Sequence, residues 1–184
     1  MEKTTWMNIE ALIAELGGQS GLLRIGDPAR LEPQRNAESA GTIVGFSDGT
    51  FFDDGSGFNS TPLPATIVTT ADALAGADTI TVSGLPVSST RVLRRNDLIE
   101  AQPGGAYDST PRLYMLTRDS DTDSGGETSL NIKPNLRDTI LAGTSIVLNY
   151  PQSVFRLQDD EQGVIERTSP TIGNGAFKLV EAIV

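Results

Sequence analysis

The chain has 184 residues, carries 24 acidic and 14 basic side chains for a net charge of −10, and contains neither cysteine nor histidine. Those absences exclude disulfides, thiolate nucleophiles, cysteine or histidine metal ligands, and the imidazole base of serine and cysteine hydrolases. The acidic charge opposes binding to nucleic-acid backbone, and no run reaches the roughly 18 apolar residues that a membrane span needs. We therefore expect a non-enzymatic protein without specific nucleic-acid binding, and with no basic-then-apolar leader at its start.

One helix is predicted, over residues 8–16, with Asn8 as its N-cap and Gly17-Gly18 as its end. Apolar side chains recur inside it at helical spacing and form one stripe. Because a helix of about two and a half turns is not stable alone, we expect this stripe to pack on a sheet. The stripe consists of Ile9, Leu12, Ile13 and Leu16.

Strands and polar loops alternate in the next part of the chain. Strands are predicted at residues 21–25 and 42–46, and the polar stretch 29–39 is predicted to be an extended arm or loop. The Gly- and Asp-rich segment 47–58 follows, and its phenylalanines make it too apolar for a free linker. We expect it to pack either on a neighbouring subunit or on its own core, and both alternatives stay open. The phenylalanines in and beside it are Phe46, Phe51, Phe52 and Phe58.

The middle of the chain contains the strongest β pattern. An edge strand is predicted at residues 63–70, because Pro62 and Pro64 stand at its start. Short runs rich in β-branched residues, Leu or Tyr follow, separated by Gly, Pro, Asn and Asp clusters at spacings typical of a small antiparallel sandwich or barrel. These runs lie at residues 79–85, 93–102, 112–118, 129–134 and 144–150.

Further strands are predicted at residues 154–157, 164–167 and 176–184. The predicted fold class is therefore mainly β: an antiparallel β-sandwich or small barrel with one short N-terminal helix and an inserted β-domain. No repeat of solenoid type is present.

Three acidic clusters are candidates for chemistry. Residues 119–123 place Asp at alternate positions, as calcium loops do, but the EF-hand pattern fails because Ser124 and Leu130 stand where it needs Gly and Glu. Asp53-Asp54 and residues 159–161 could supply the paired carboxylates of a glycosidase. Acidic residues beside Gly are common in turns, so we predict an acidic hairpin turn at residues 119–126 and assign no catalytic, cofactor-binding or metal-binding residue.

The chain contains a characteristic order of motifs: the helix with Leu12, Ile13 and Leu16, Gly17-Gly18, residues 22–30, residues 75–85, residues 93–100, Leu113-Tyr114, the acidic turn, residues 130–137, residues 154–157 and residues 180–182. This order resembles the distal tail proteins of long-tailed bacteriophages, which sit at the tail tip. The family's Gly-Asp before a strand is Asn96-Asp97 here, and Asn also tolerates the left-handed conformation. Residues 1–7 stand where the family carries several strands, so either the belt is incomplete or another chain supplies those strands.

The resemblance implies a belt-like β region made by residues 1–60 and 150–184, with the helix and a loop arm, and an inserted barrel-like domain at residues 61–149. It also implies a structural virion protein that forms or decorates a ring, commonly a hexamer, between the tail tube and the baseplate hub. Its expected partners are copies of itself and the tube and hub proteins, with assembly in the host cytoplasm and residence in the virion.

Other functions stay open. One alternative is an accessory carbohydrate-binding β-sandwich module on the tail, which would need an exposed aromatic cluster. Another is a carboxylate-based hydrolase that uses Asp53 and Asp54. For the tail-ring function we predict that Phe51→Asp and Phe52→Asp together prevent assembly without unfolding the subunit.

Overall fold

The computed structural model describes residues 11–12, 15–35, 62–102, 111–158, 166–167, 173–174 and 178–182. Contacts between residues divide the chain into a terminal unit, Met1–Ile25 with Ser153–Val184, and a central unit, Gly26–Gln152. Because residues 36–61 lie outside the described residues, the predicted domain boundary at residue 60 stays a prediction.

The described residues form eleven short strands. The prediction of a mainly β protein is confirmed, and every run predicted to be a strand in the middle of the chain contains one. The strands are β1 (Leu23–Gly26), β2 (Thr66–Thr69), β3 (Thr79–Ser83), β4 (Leu98–Ala101), β5 (Arg112–Leu116), β6 (Thr128–Lys133), β7 (Ser145–Val147), β8 (Gln152–Leu157), β9 (Glu166–Arg167), β10 (Gly173–Asn174) and β11 (Leu179–Glu181).

Six of these strands close into an antiparallel barrel in the central unit, in the order β2-β3-β6-β5-β4-β7, with β7 returning to β2. Side chains alternate between the two faces of a strand, so one residue in two points into the barrel. Ile80 of β3 lies opposite Leu130 of β6, and Ile99 of β4 lies opposite Tyr114 of β5; all four side chains are fully or almost fully buried. The alternatives of sandwich and small barrel are thus resolved in favour of the barrel.

The prediction that residues 63–70 form an edge strand is wrong. β2 pairs with β3 on one side and with β7 on the other, because a closed barrel has no edge. Pro62 and Pro64 precede Thr66, the first paired residue of β2. Their missing N–H groups therefore remove no ladder hydrogen bond.

The turn before β6 depends on Gly126. This residue has φ +75, and a Cβ placed on it would collide with the carbonyl oxygen of Leu85. Gly143 also has a positive φ, +81, but a Cβ there would meet nothing within 4 Å. A substitution at Gly143 therefore costs only the free energy of a left-handed backbone, whereas one at Gly126 adds the collision with Leu85.

We expect Gly126→Ala to lower the free energy of unfolding by about 2–4 kcal/mol, against about 1–2 kcal/mol for Gly143→Ala. Urea titration of the two variants measures the difference. Equal losses would show that the approach of Gly126 to Leu85 contributes nothing to stability.

The terminal unit contains a three-stranded sheet in the order β1-β8-β11, with β8 in the middle. β9 and β10 pair separately as a short antiparallel ribbon. In β11, Leu179 lies opposite Leu157 and Glu181 opposite Phe155 of β8. Among the described residues, no strand pairs with the outer side of β1 or of β11.

The predicted N-terminal helix is described only in part. Residues 11–12 and 15–16 have helical backbone, and Gly17 and Gly18 follow with φ of +62 and +80, as expected of a helix end. Residues 8–10 and 13–14 lie outside the described part, so the helix itself stays a prediction. Leu12 is exposed and Leu16 half-buried, so the described part of the apolar stripe is only partly covered.

Candidate functional site: buried carboxylates and open sheet edges

The acidic cluster at residues 119–123 lies in the connection between β5 and β6, where its carboxylates bind donors of the same unit. Asp119 accepts from the Nε of Arg91 at 2.7 Å and from the backbone N–H of Arg95 at 2.9 Å. Asp123 accepts from the backbone N–H groups of Gly125 and Glu127. These backbone hydrogen bonds are the largest cause of the lowered pKa values of Asp119 and Asp123, and the Arg91 side chain adds to the effect at Asp119.

These carboxylates thus organise the turn. Within the part of the chain that the structure describes, no group of three or more acidic side chains is placed to hold a metal ion. Asp53-Asp54, residues 159–161 and the four phenylalanines Phe46, Phe51, Phe52 and Phe58 lie outside the described residues. The predicted effect of Phe51→Asp with Phe52→Asp therefore stays a prediction.

Asp97 is a buried carboxylate that ties the turn before β4 to the stretch that contains Gln34. One oxygen accepts from the N–H of Arg94 at 2.8 Å, and the other accepts from the N–H of Gln34 at 2.9 Å. Asn96 directly precedes Asp97 in the turn. Its φ is +74, which Asn tolerates better than most residues. Burial raises the pKa of Asp97, although the two backbone donors oppose that rise. The Asn96-Asp97 motif therefore anchors the end of the 29–35 stretch on the barrel.

Glu100 is a second buried carboxylate, on the outer side of β4. Its side chain is 2% exposed and accepts hydrogen bonds from Nε2 of Gln102 at 2.6 Å and from the backbone N–H of Gln152 at 2.8 Å. A buried charge is tolerated only where hydrogen bonds replace its hydration. Glu100 thus fastens the segment after β7 onto the outside of the barrel.

The outer side of β11 has no partner strand among the described residues. Gln158 N–H donates to Lys178 O, and Ala182 N–H donates to Val154 O. In an antiparallel pair, hydrogen-bonded positions alternate with non-hydrogen-bonded ones, so the N–H of Leu179 points away from β8. That N–H faces the outer side of β11, where no described strand pairs.

Nothing in the sequence pattern marked this edge. The strand predicted at residues 176–184 has apolar alternation, but alternation does not tell how many neighbours a strand has. Among the described residues, no helix is long and apolar enough to cross a membrane. No protein-family model matches the chain, and no curated protein matches it either.

Proposed function

We propose that this chain is a structural, non-catalytic subunit that assembles through the edges of its terminal sheet. In the same proposal it is a virion protein of a bacteriophage tail tip, forming or decorating a ring between the tail tube and the baseplate hub. Copies of itself and the tube and hub proteins are its partners.

One observation carries the assembly part of the proposal: the contrast between the two sheets. The barrel has every strand paired on both sides, whereas β1 and β11 have no described strand on their outer sides. An unpaired edge presents a row of N–H and C=O groups that a strand of another chain can complete. The three strands are also short, and small sheets gain stability when strands are added.

The tail-tip part is supported by the order of motifs described above, including the Asn96-Asp97 turn before β4. A closed barrel joined to the rest of the chain through both its ends is also the arrangement that the distal tail resemblance implies. Such a barrel can be carried on an assembling belt without taking part in strand exchange, since it offers no edge of its own.

Leu179→Pro tests the edge directly, with Leu179→Ala as its matched control. Both variants lose the leucine side chain, but only proline removes the N–H that points outward, while the ladder to β8 keeps its donors. We expect Leu179→Ala to self-associate like the wild type, or slightly more weakly, and Leu179→Pro to remain monomeric. Mass photometry at several protein concentrations measures this. Equal assembly of the two variants would exclude the β11 edge as a contact.

A further inference from the structure

The central unit carries an exposed strip made of Leu31, Arg95, Arg118 and Tyr150, here called the Arg–Tyr strip. The stretch that begins at Arg30 connects its parts. Leu31 O accepts from the N–H of Tyr150, and Nε2 of Gln34 donates to Arg95 O at 2.8 Å. Leu98 lies opposite Met115 and Leu93 opposite Ser120, so the same antiparallel register places Arg95 opposite Arg118.

The strip holds two available positive charges. The guanidinium groups of Arg95 and Arg118 are exposed and make no ion pair or side-chain hydrogen bond with the described residues. The carboxylates near them are already engaged, because Asp119 binds Arg91 and the buried Asp97 binds two backbone N–H groups. Among the described residues, no carboxylate occupies either guanidinium group, so both can receive a carboxylate of another chain.

Tyr150 adds an aromatic anchor. Its φ of +55 lies in the left-handed region, which is rare for an aromatic residue and unfavourable without a compensating contact. In this conformation its side chain is 58% exposed, and Leu31 beside it is 41% exposed. Tyr and Arg are the residues most enriched at the centres of protein interfaces, where they carry much of the binding energy.

We propose that the Arg–Tyr strip docks onto an acidic surface of a second copy of this chain. The proposal rests on the self-assembly proposed above and gives that assembly a second contact, distinct from the sheet edges. A copy of this chain has a net charge of −10, so it supplies the complementary charge. The central unit itself exposes several carboxylates: Asp72, Asp78, Asp121, Asp123 and Asp138.

Such a contact joins two different surfaces of the same chain. Contacts of this kind are head-to-tail, and they close into rings when the rotation between copies permits. The strip therefore suits a ring-forming subunit, and it makes the assembly sensitive to salt, because exposed charges are screened within about 8 Å at physiological ionic strength.

The experiment compares Arg95→Gln with Arg118→Gln against a double variant of equal charge, Thr66→Asp with Ser129→Asp. Both pairs of substitutions change the net charge from −10 to −12, but only the first removes the strip's cations. We expect the first pair to raise the dissociation constant of self-association at least about tenfold and to reduce its dependence on NaCl. The second pair, on exposed outer positions of β2 and β6, is expected to leave it within about threefold.

Tyr150→Asn provides an independent readout, because Asn tolerates the left-handed conformation and keeps the backbone N–H that binds Leu31. We expect its melting temperature to equal or exceed that of the wild type while its self-association weakens about tenfold.

The outcomes separate the two proposals. If the wild type self-associates and neither strip variant weakens this association, the proposal that the strip is a contact is overturned, while the edge-assembly proposal still stands. A wild type that stays monomeric at every concentration would overturn both. A third outcome is that the wild type binds a duplex DNA oligonucleotide and that the Arg95→Gln and Arg118→Gln variant loses this binding while its self-association is unchanged. That result would assign the strip to a polyanion and would also overturn the inference.

Discussion

Replacing Glu100 by alanine is expected to lower the free energy of unfolding by about 3 kcal/mol, because it leaves two buried donors without their acceptor and opens a cavity. Those donors are Nε2 of Gln102 and the backbone N–H of Gln152, which approach the carboxylate at 2.6 and 2.8 Å. Loss of the second contact also releases the segment after β7 from the outside of the barrel.

Glu127→Ala is the matched control. Glu127 accepts a hydrogen bond from Thr70 at the surface, where water replaces a lost partner, so its removal is expected to cost below about 1 kcal/mol. Urea denaturation of both variants gives the comparison. A Glu100→Ala loss no larger than that of Glu127→Ala would show that the buried carboxylate does not hold the segment.

Leu130→Ala is expected to have an effect of the same size, about 3–4 kcal/mol, by creating a cavity in the barrel. The side chain of Leu130 is 0% exposed and lies directly opposite Ile80, which is equally buried. The walls of a closed barrel are tied to their neighbours on both sides, so they relax little into the space that the leucine leaves.

Ser129→Ala provides the control for this variant, since Ser129 is the preceding residue of the same strand and points to the outside. Its removal is expected to change the free energy of unfolding by less than about 0.5 kcal/mol. Similar losses for the two substitutions would mean that the strand faces are reversed and that the barrel interior is assigned wrongly.

The strands of the barrel could be predicted from the sequence because β-branched residues and turn residues alternate clearly there. Their arrangement could not, since a sandwich and a closed barrel require the same alternation. The wrong prediction of an edge strand at β2 has the same cause, since local sequence does not show which strands become neighbours. Prolines before a strand signal its start, and whether the strand is also an edge depends on a partner, β7, that begins some 75 residues later.

The polar anchors were harder to predict. Asp97 and Glu100 look in the sequence like ordinary surface charges, and only the folded chain shows that each carboxylate receives donors from distant segments. The Asn96-Asp97 pair did carry a signal, because Asn favours the left-handed turn that the structure contains. The Arg–Tyr strip carried none, since its residues span positions 31 to 150 and share no pattern.

Within the described residues, the barrel and the terminal sheet differ in whether their outermost strands are paired. The barrel has no open edge, a largely apolar buried core, and carboxylate anchors on the stretches that flank it. The terminal sheet keeps two outer sides without a described partner.

Native mass measurement of the purified wild-type protein over a range of concentrations tests the central claim, that this chain is a self-assembling structural subunit, most directly. We expect a discrete species containing several copies, in equilibrium with the monomer and weakened by salt, with a copy number that reports whether the ring is a hexamer. A single monomeric mass at all concentrations and ionic strengths would contradict the claim.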